Sequence, residues 1–102
     1  MTKTSTSGTI GSNIIIGLIK KTVKAVKINA PLASDSATIK ISVDSPDSVD
    51  SPDSEHIIYD GYMINRDADG AIKFSDAYKC ETKIILMITG GSGNAFVEVD
   101  YI

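Results

Sequence analysis

Tryptophan is missing from this chain, and phenylalanine and tyrosine together number only six. Broad aromatic platforms for stacking sugar rings are therefore lacking. Leucine is scarce as well, confined to Leu18, Leu32 and Leu86, while Ile, Val, Thr and Ser are plentiful. That balance favours strands over helices and leaves β-branched residues to fill the core. The single cysteine, Cys80, excludes an intramolecular disulfide, and with the single histidine, His56, it falls short of a zinc set. Nucleophilic catalysis finds no constellation either. Cys80 has no base partner and reads as a small core residue. His56 lies between an acidic stretch and an apolar strand, where pairing with Glu55 or Asp53 is expected. No enzyme is read from these residues.

Long hydrophobic runs are also absent. IIIGLI at residues 14–19 is far too short to span a bilayer. The polar opening, MTKTSTSGTIGSN, lacks the apolar segment of a signal peptide, so a soluble chain made in a cytoplasm is the expectation. Net charge is −3, which gives no general affinity for nucleic acid. The charge is nonetheless polarised. Lys3, Lys20, Lys21, Lys24, Lys27 and Lys40 face only Asp35 in the first 42 residues. Residues 43–69 carry Asp44, Asp47, Asp50, Asp53, Glu55, Asp60, Asp67 and Asp69 against Arg66 alone. A solvated surface and a subunit contact both produce such polarity.

With 102 residues, the chain has the length of one domain. Its Ser/Thr/Gly-rich residues 1–12 read as an N-terminal arm, and residues 13–102 as the folded domain. The clearest element is ATIKISV at 37–43, where Ile39, Ile41 and Val43 alternate with Thr38, Lys40 and Ser42, the period of a half-buried strand. NIIIGLI at 13–19, residues 23–30, AIKFS at 71–75, KIILMIT at 83–89 and AFVEVDYI at 95–102 read as further strands. Residues 23–30 and 37–43 are expected to pair antiparallel through the turn LASDSA. HIIYDGYMI at 56–64 reads as two pieces around a bulge at Asp60-Gly61, and GGSGN at 90–94 as a hairpin turn. KKTVKAVK at 20–27 offers cations for phosphate but no interleaved aromatics, and reads as a polar sheet face. The expected fold is all-β: a single antiparallel β-sandwich, jelly-roll or Ig-like, of about seven to eight short strands with an N-terminal arm. The rival is a helix over 76–87 capped by Ser75 or Asp76, disfavoured by Ile84, Ile85 and Ile88.

Two stretches offer oxygen ligands. VDSPDSVDSPDS at 43–54 is one hexad written twice, but its carboxylates recur every third residue, unlike a calcium loop. Its SPDS phrase suits a β-turn, with Pro presetting φ. It reads as an exposed acidic loop with a basic surface as its natural partner. Residues 65–76, NRDADGAIKFSD, match a calcium loop better: Asn65, Asp67 and Asp69 fall at its first, third and fifth positions, Gly70 at the turn and Asp76 at the twelfth. Lys73 places a cation among these ligands, and an ordinary strand-to-strand turn fits the same letters. Calcium at Asn65, Asp67, Asp69 and Asp76 is the candidate cofactor; otherwise none is expected.

VKAVKINAPLASDSATIKISV, followed by IIYDGYMI, KIILMIT, a Gly/Ser turn and a terminal V-x-V-x-x-I, resembles small β-sandwich virion proteins of tailed bacteriophages, of the capsid decoration, cement or fibre-base type. The resemblance covers residues 20–102 and departs from the family in the acidic repeat and in CETKI. It implies a non-catalytic structural protein in the virion. Its partner would be a capsid or tail protein, and it would form a homo-oligomer, a trimer above all, with no nucleic acid or membrane partner. The alternative is a calcium-dependent or carbohydrate- and cell-surface-binding β-sandwich module.

Overall fold

The computed structural model describes residues 2–44, 55–68 and 70–102, with backbone alone at 55, 76 and 77. Eight strands lie among them: β1 (Thr2–Thr9), β2 (Ile14–Gly17), β3 (Lys21–Asn29), β4 (Ala33–Asp44), β5 (Glu55–Tyr62), β6 (Ala71–Cys80), β7 (Lys83–Gly91) and β8 (Asn94–Tyr101). The helical content among the described residues is a single 3₁₀ turn at Met63–Asn65. The strands form two four-stranded antiparallel sheets, ordered β1-β8-β3-β6 and β2-β7-β4-β5.

Alternation dictates how the sheets stack. Ile39, Ile41 and Val43 of β4 point inward with Ile84, Leu86 and Ile88 of β7 and Ile14 and Ile16 of β2. Val23, Val26 and Ile28 of β3 and Ala95, Val97 and Val99 of β8 meet them from the other sheet in one apolar cluster. Each fully buried Ile, Val or Leu contributes about 1.5–3 kcal/mol of transfer free energy. Cys80 belongs to this cluster, in the place of a small core residue.

Four expectations are corrected. Residues 2–9 form no arm. They are the edge strand β1, paired with β8 from Thr2↔Tyr101 to Thr9↔Asn94. Threonine and serine extend readily once a neighbouring strand supplies the ladder, and Gly8 admits close packing, since a Cβ there would lie 2.5 Å from Ile14 Cγ1. Residues 23–30 and 37–43 are not a hairpin. β3 pairs with β6 and β8, and β4 with β5 and β7. Their alternating apolar faces are satisfied across the core rather than side by side. GGSGN likewise leads from β7 in one sheet to β8 in the other.

β5 is one strand rather than two pieces. Its irregularity falls where Ile41↔Tyr59 gives way to Ser42↔Ile57, leaving Ile58 as the extra residue. The rival helix over 76–87 is replaced by β6, a turn at Glu81-Thr82, and β7. The repeat at 45–54 lies outside the described residues. It connects Asp44 to Glu55, which are cross-strand partners.

Candidate functional site

β5 and β6 are the edges of the two sheets on the same side of the molecule, and a cleft opens between them. Its volume is about 500 Å³, and its apolar walls are Ile58 and Tyr59 from β5 and Ile72, Phe74 and Tyr78 from β6. Asn65, Asp67, Lys73 and Ser75 supply the polar rim. Three of the six aromatic side chains of the chain gather here, so the scarcity of aromatics seen in the sequence does not extend to this spot.

Strand irregularities put these rings in place. Between Val23↔Tyr78 and Ala25↔Lys73, the four residues 74–77 of β6 stand opposite Lys24 alone. The excess chain interrupts the ladder with β3, with Phe74 and Tyr78 at the two ends of the interruption. Their rings meet edge to face at 5.6 Å and 87°. His56 lies 6.0 Å from the Tyr78 ring. Across the cleft, the Ile58 bulge sets the facing of Tyr59, whose hydroxyl donates to the Tyr62 carbonyl at 3.0 Å. Gly61 makes this possible, because a Cβ there would lie 3.1 Å from Tyr59 Oη.

The floor is the loop between the 3₁₀ turn and β6. Arg66 ties it down by donating from Nε to the Met63 carbonyl at 2.9 Å and from Nη1 to the Ile28 carbonyl. Asp67 closes it: its Oδ1 accepts the Ala71 amide at 2.9 Å, its own amide donates to Ala71 O at 2.9 Å, and Gly70, at φ +78°, donates to Asp67 O at 3.0 Å. Asp67 Oδ2 also lies 3.1 Å from Lys73 Nζ. The Asp67 carboxylate thus organises its own turn, and Lys73, at the ninth position of the calcium-loop alignment, is its ion-pair partner. Asn65 ends the 3₁₀ turn, Asp76 belongs to strand β6, and Asp69 lies outside the described residues. Among the described residues no group of three His, Cys, Asp or Glu side chains is placed to hold a metal ion.

At the opposite end of β4, Asp44 fastens the β6–β7 turn. Its carboxylate accepts the Thr82 amide at 3.0 Å, the Lys83 amide at 2.9 Å and the Thr82 hydroxyl. Its carbonyl accepts the Glu81 amide at 2.8 Å. Partial burial works to raise the Asp44 pKa. The bonds from the Thr82 hydroxyl and from the Thr82 and Lys83 amides outweigh it and hold the carboxyl below its ordinary value. Cys80 lies close by. Burial, reinforced by the Asp44 charge, pushes its thiol up to about 12.

The aromatic cleft escapes a reading of the sequence because its members are far apart in the chain. The available signal was the pairing of Phe74 with Tyr78, four residues apart in a segment that alternates only as far as residue 75.

No protein-family model matches the sequence, and no curated protein matches it. Among solved structures, the chain is similar to PliG of Aeromonas hydrophila, a periplasmic lysozyme inhibitor of g-type lysozyme. The TM-score is 0.48 at 17% identity, over 99% of this chain and 85% of that one. That neighbour is a bacterial periplasmic protein and not a virion component. With no family model and no curated protein in its support, the resemblance to phage virion proteins is withdrawn, and with it the capsid or tail partner and the virion location. A likeness of this size assigns no partner to the chain.

Proposed function

We propose that the chain is a non-catalytic binding module for a protein, a jelly-roll β-sandwich that takes an apolar side chain of a basic partner into the β5–β6 cleft. The orders β1-β8-β3-β6 and β2-β7-β4-β5 suit the double-sheet jelly roll, in which most connections pass from one sheet to the other. The observation that carries the reading is the cleft itself: Tyr59, Phe74 and Tyr78 stand only partly covered at an open sheet edge. Aromatic anchors of this kind dominate binding energies when a partner desolvates them. The sign of the partner is read from the sequence. Residues 43–69 hold eight acidic side chains and one arginine, a field that draws a basic surface in and repels an acidic one.

The test is a binding titration of the whole chain against a panel of basic and acidic proteins of similar size, at low and moderate salt. Binding is expected for basic members only, weaker as salt rises, and at least tenfold weaker in Phe74→Ala and Tyr78→Ala. Equal binding by those variants and the parent would sink the reading, as would a preference for acidic proteins.

A further inference from the structure

We propose that strand β1 is a self-association edge, and that two copies of the chain join β1 to β1 antiparallel into one eight-stranded sheet. Among the described residues, β1 closes its sheet on one side with no strand beyond it. The three other sheet edges are each marred for pairing. β6 carries four residues opposite one, β5 carries the Ile58 bulge, and β2 is four residues long. β1 alone runs eight residues in unbroken register, with no proline and no bulge. Proteins ordinarily blunt such an edge.

Its backbone and side chains suit a second copy of itself. The Ile10 amide donates to Gly93 O at 3.0 Å, continuing the register Thr2↔Tyr101 to Thr9↔Asn94. Antiparallel bonding alternates along a strand, so even-numbered residues bond to β8. The N–H and C=O groups of Lys3, Ser5 and Ser7, together with the N–H of Thr9, whose carbonyl accepts the Ser12 amide at 3.1 Å, then point to the side that no described strand covers. Two such edges can ladder only where the two paired residue numbers are both odd or both even. The central registers set Ser5 against Ser5 or Thr6 against Thr6. In the first, Lys3 faces Ser7 and Thr4 faces Thr6; in the second, Lys3 faces Thr9 and Ser5 faces Ser7. Both place hydroxyls opposite hydroxyls, a favourable cross-strand pair. Both also keep the core faces of the two copies on one side of the joined sheet.

Charge agrees with this occupant. Lys3 is the one charged residue on β1, and its ammonium already lies 3.3 Å from Glu98 Oε1 and 3.9 Å from Asp100 Oδ1. With Ser5 on the two-fold axis, the two Lys3 residues sit about 14 Å apart, from four residues of strand rise and one strand spacing. That exceeds the Debye length at physiological salt, so they do not oppose pairing. A ladder of this length is a small interface, and the dimer is expected to be weak and concentration-dependent.

Sedimentation equilibrium of the whole chain from about 5 to 500 µM tests the proposal. The mass should rise from 10.8 kDa towards twice that value. The double variant Ser5→Lys with Ser7→Lys sets ammonium groups opposite one another in either register, on exposed positions that leave the monomer's ladder intact. It should remain at the monomer mass with unchanged circular dichroism and melting temperature. A parent chain that stays monomeric throughout overturns the proposal. So does a lysine variant that associates like the parent. Association lost in Tyr78→Ala but kept in the lysine variant would move the contact to the cleft and also refute it.

Discussion

Asp44→Ala removes a carboxylate that reaches from β4 to hold the turn between β6 and β7. Three donors lose their acceptor: the Thr82 amide, the Lys83 amide and the Thr82 hydroxyl. A buried hydrogen bond to a charged group contributes about 1.5–3 kcal/mol. Here Thr82 is exposed and Asp44 only half-buried, so water replaces much of what is lost. The total cost is about 1–2 kcal/mol, the size of a lost helix cap. For a domain of this length that lowers the melting temperature by about 5–10 °C. Asp44→Asn keeps one acceptor oxygen without the charge and should cost about half as much. The folded pKa of Asp44 lies below its ordinary value of 3.8. Its contribution is thus fully present above the unfolded value and is lost as pH falls through the folded one. Urea titrations of the parent and of Asp44→Asn, followed by circular dichroism from pH 7 to 2.5, isolate this term. The gap should be flat above about pH 5 and close below about pH 4. A gap under about 0.3 kcal/mol at pH 7, or one that persists undiminished at pH 2.5, would refute the reasoning.

Further outcomes follow from single positions. With its thiol pushed up to about 12, Cys80 should react with a disulfide reagent at pH 8 about a thousandfold more slowly in the folded chain than in urea; a difference under tenfold would contradict its burial. Gly91 sits at φ +131°, and a Cβ there would lie 2.6 Å from the Leu32 carbonyl oxygen. Gly91→Ala should therefore cost more than about 2 kcal/mol. At Gly17 a Cβ meets nothing within 4 Å, so Gly17→Ala should be neutral or stabilising by up to about 1 kcal/mol; denaturant midpoints decide both. Leu86→Ala, at a fully buried side chain, should cost about 2–5 kcal/mol. Calcium at a few millimolar should leave the melting temperature within about 1 °C of that in chelator, because Asp67 already serves the Ala71 amide and Lys73; a larger rise would show a bound ion.

Alternation made the core legible before the structure. Ile39, Ile41 and Val43 all point inward, as do Val97 and Val99. What alternation leaves open is the identity of a strand's neighbour. The faces of β3 and β4 match equally well whether the strands pair or stack, and only the whole sheet order decides. β1 was misread for a related reason. A strand of Thr and Ser carries no apolar period, and its pairing depends on β8, some ninety residues on. The calcium alignment rested on spacing and already set Lys73 among Asn65, Asp67, Asp69 and Asp76; what letters alone do not give is which carboxylate that lysine meets, and it is Asp67. The cleft needed two separate irregularities, at Ile58 and at residues 74–77, and neither has a one-residue signature.

The pairing of β1 with β8 has a consequence for biosynthesis. Sheets whose neighbours are distant in the chain fold slowly. β1 emerges first and must wait for the last strand, roughly ninety residues later, on the order of ten seconds at ordinary elongation rates. Apolar strands left unpaired for that long invite misassembly with other nascent chains. In TKTSTSGT the residues kept waiting are hydroxylated, glycyl or cationic, and such a segment rests harmlessly in water until its partner arrives.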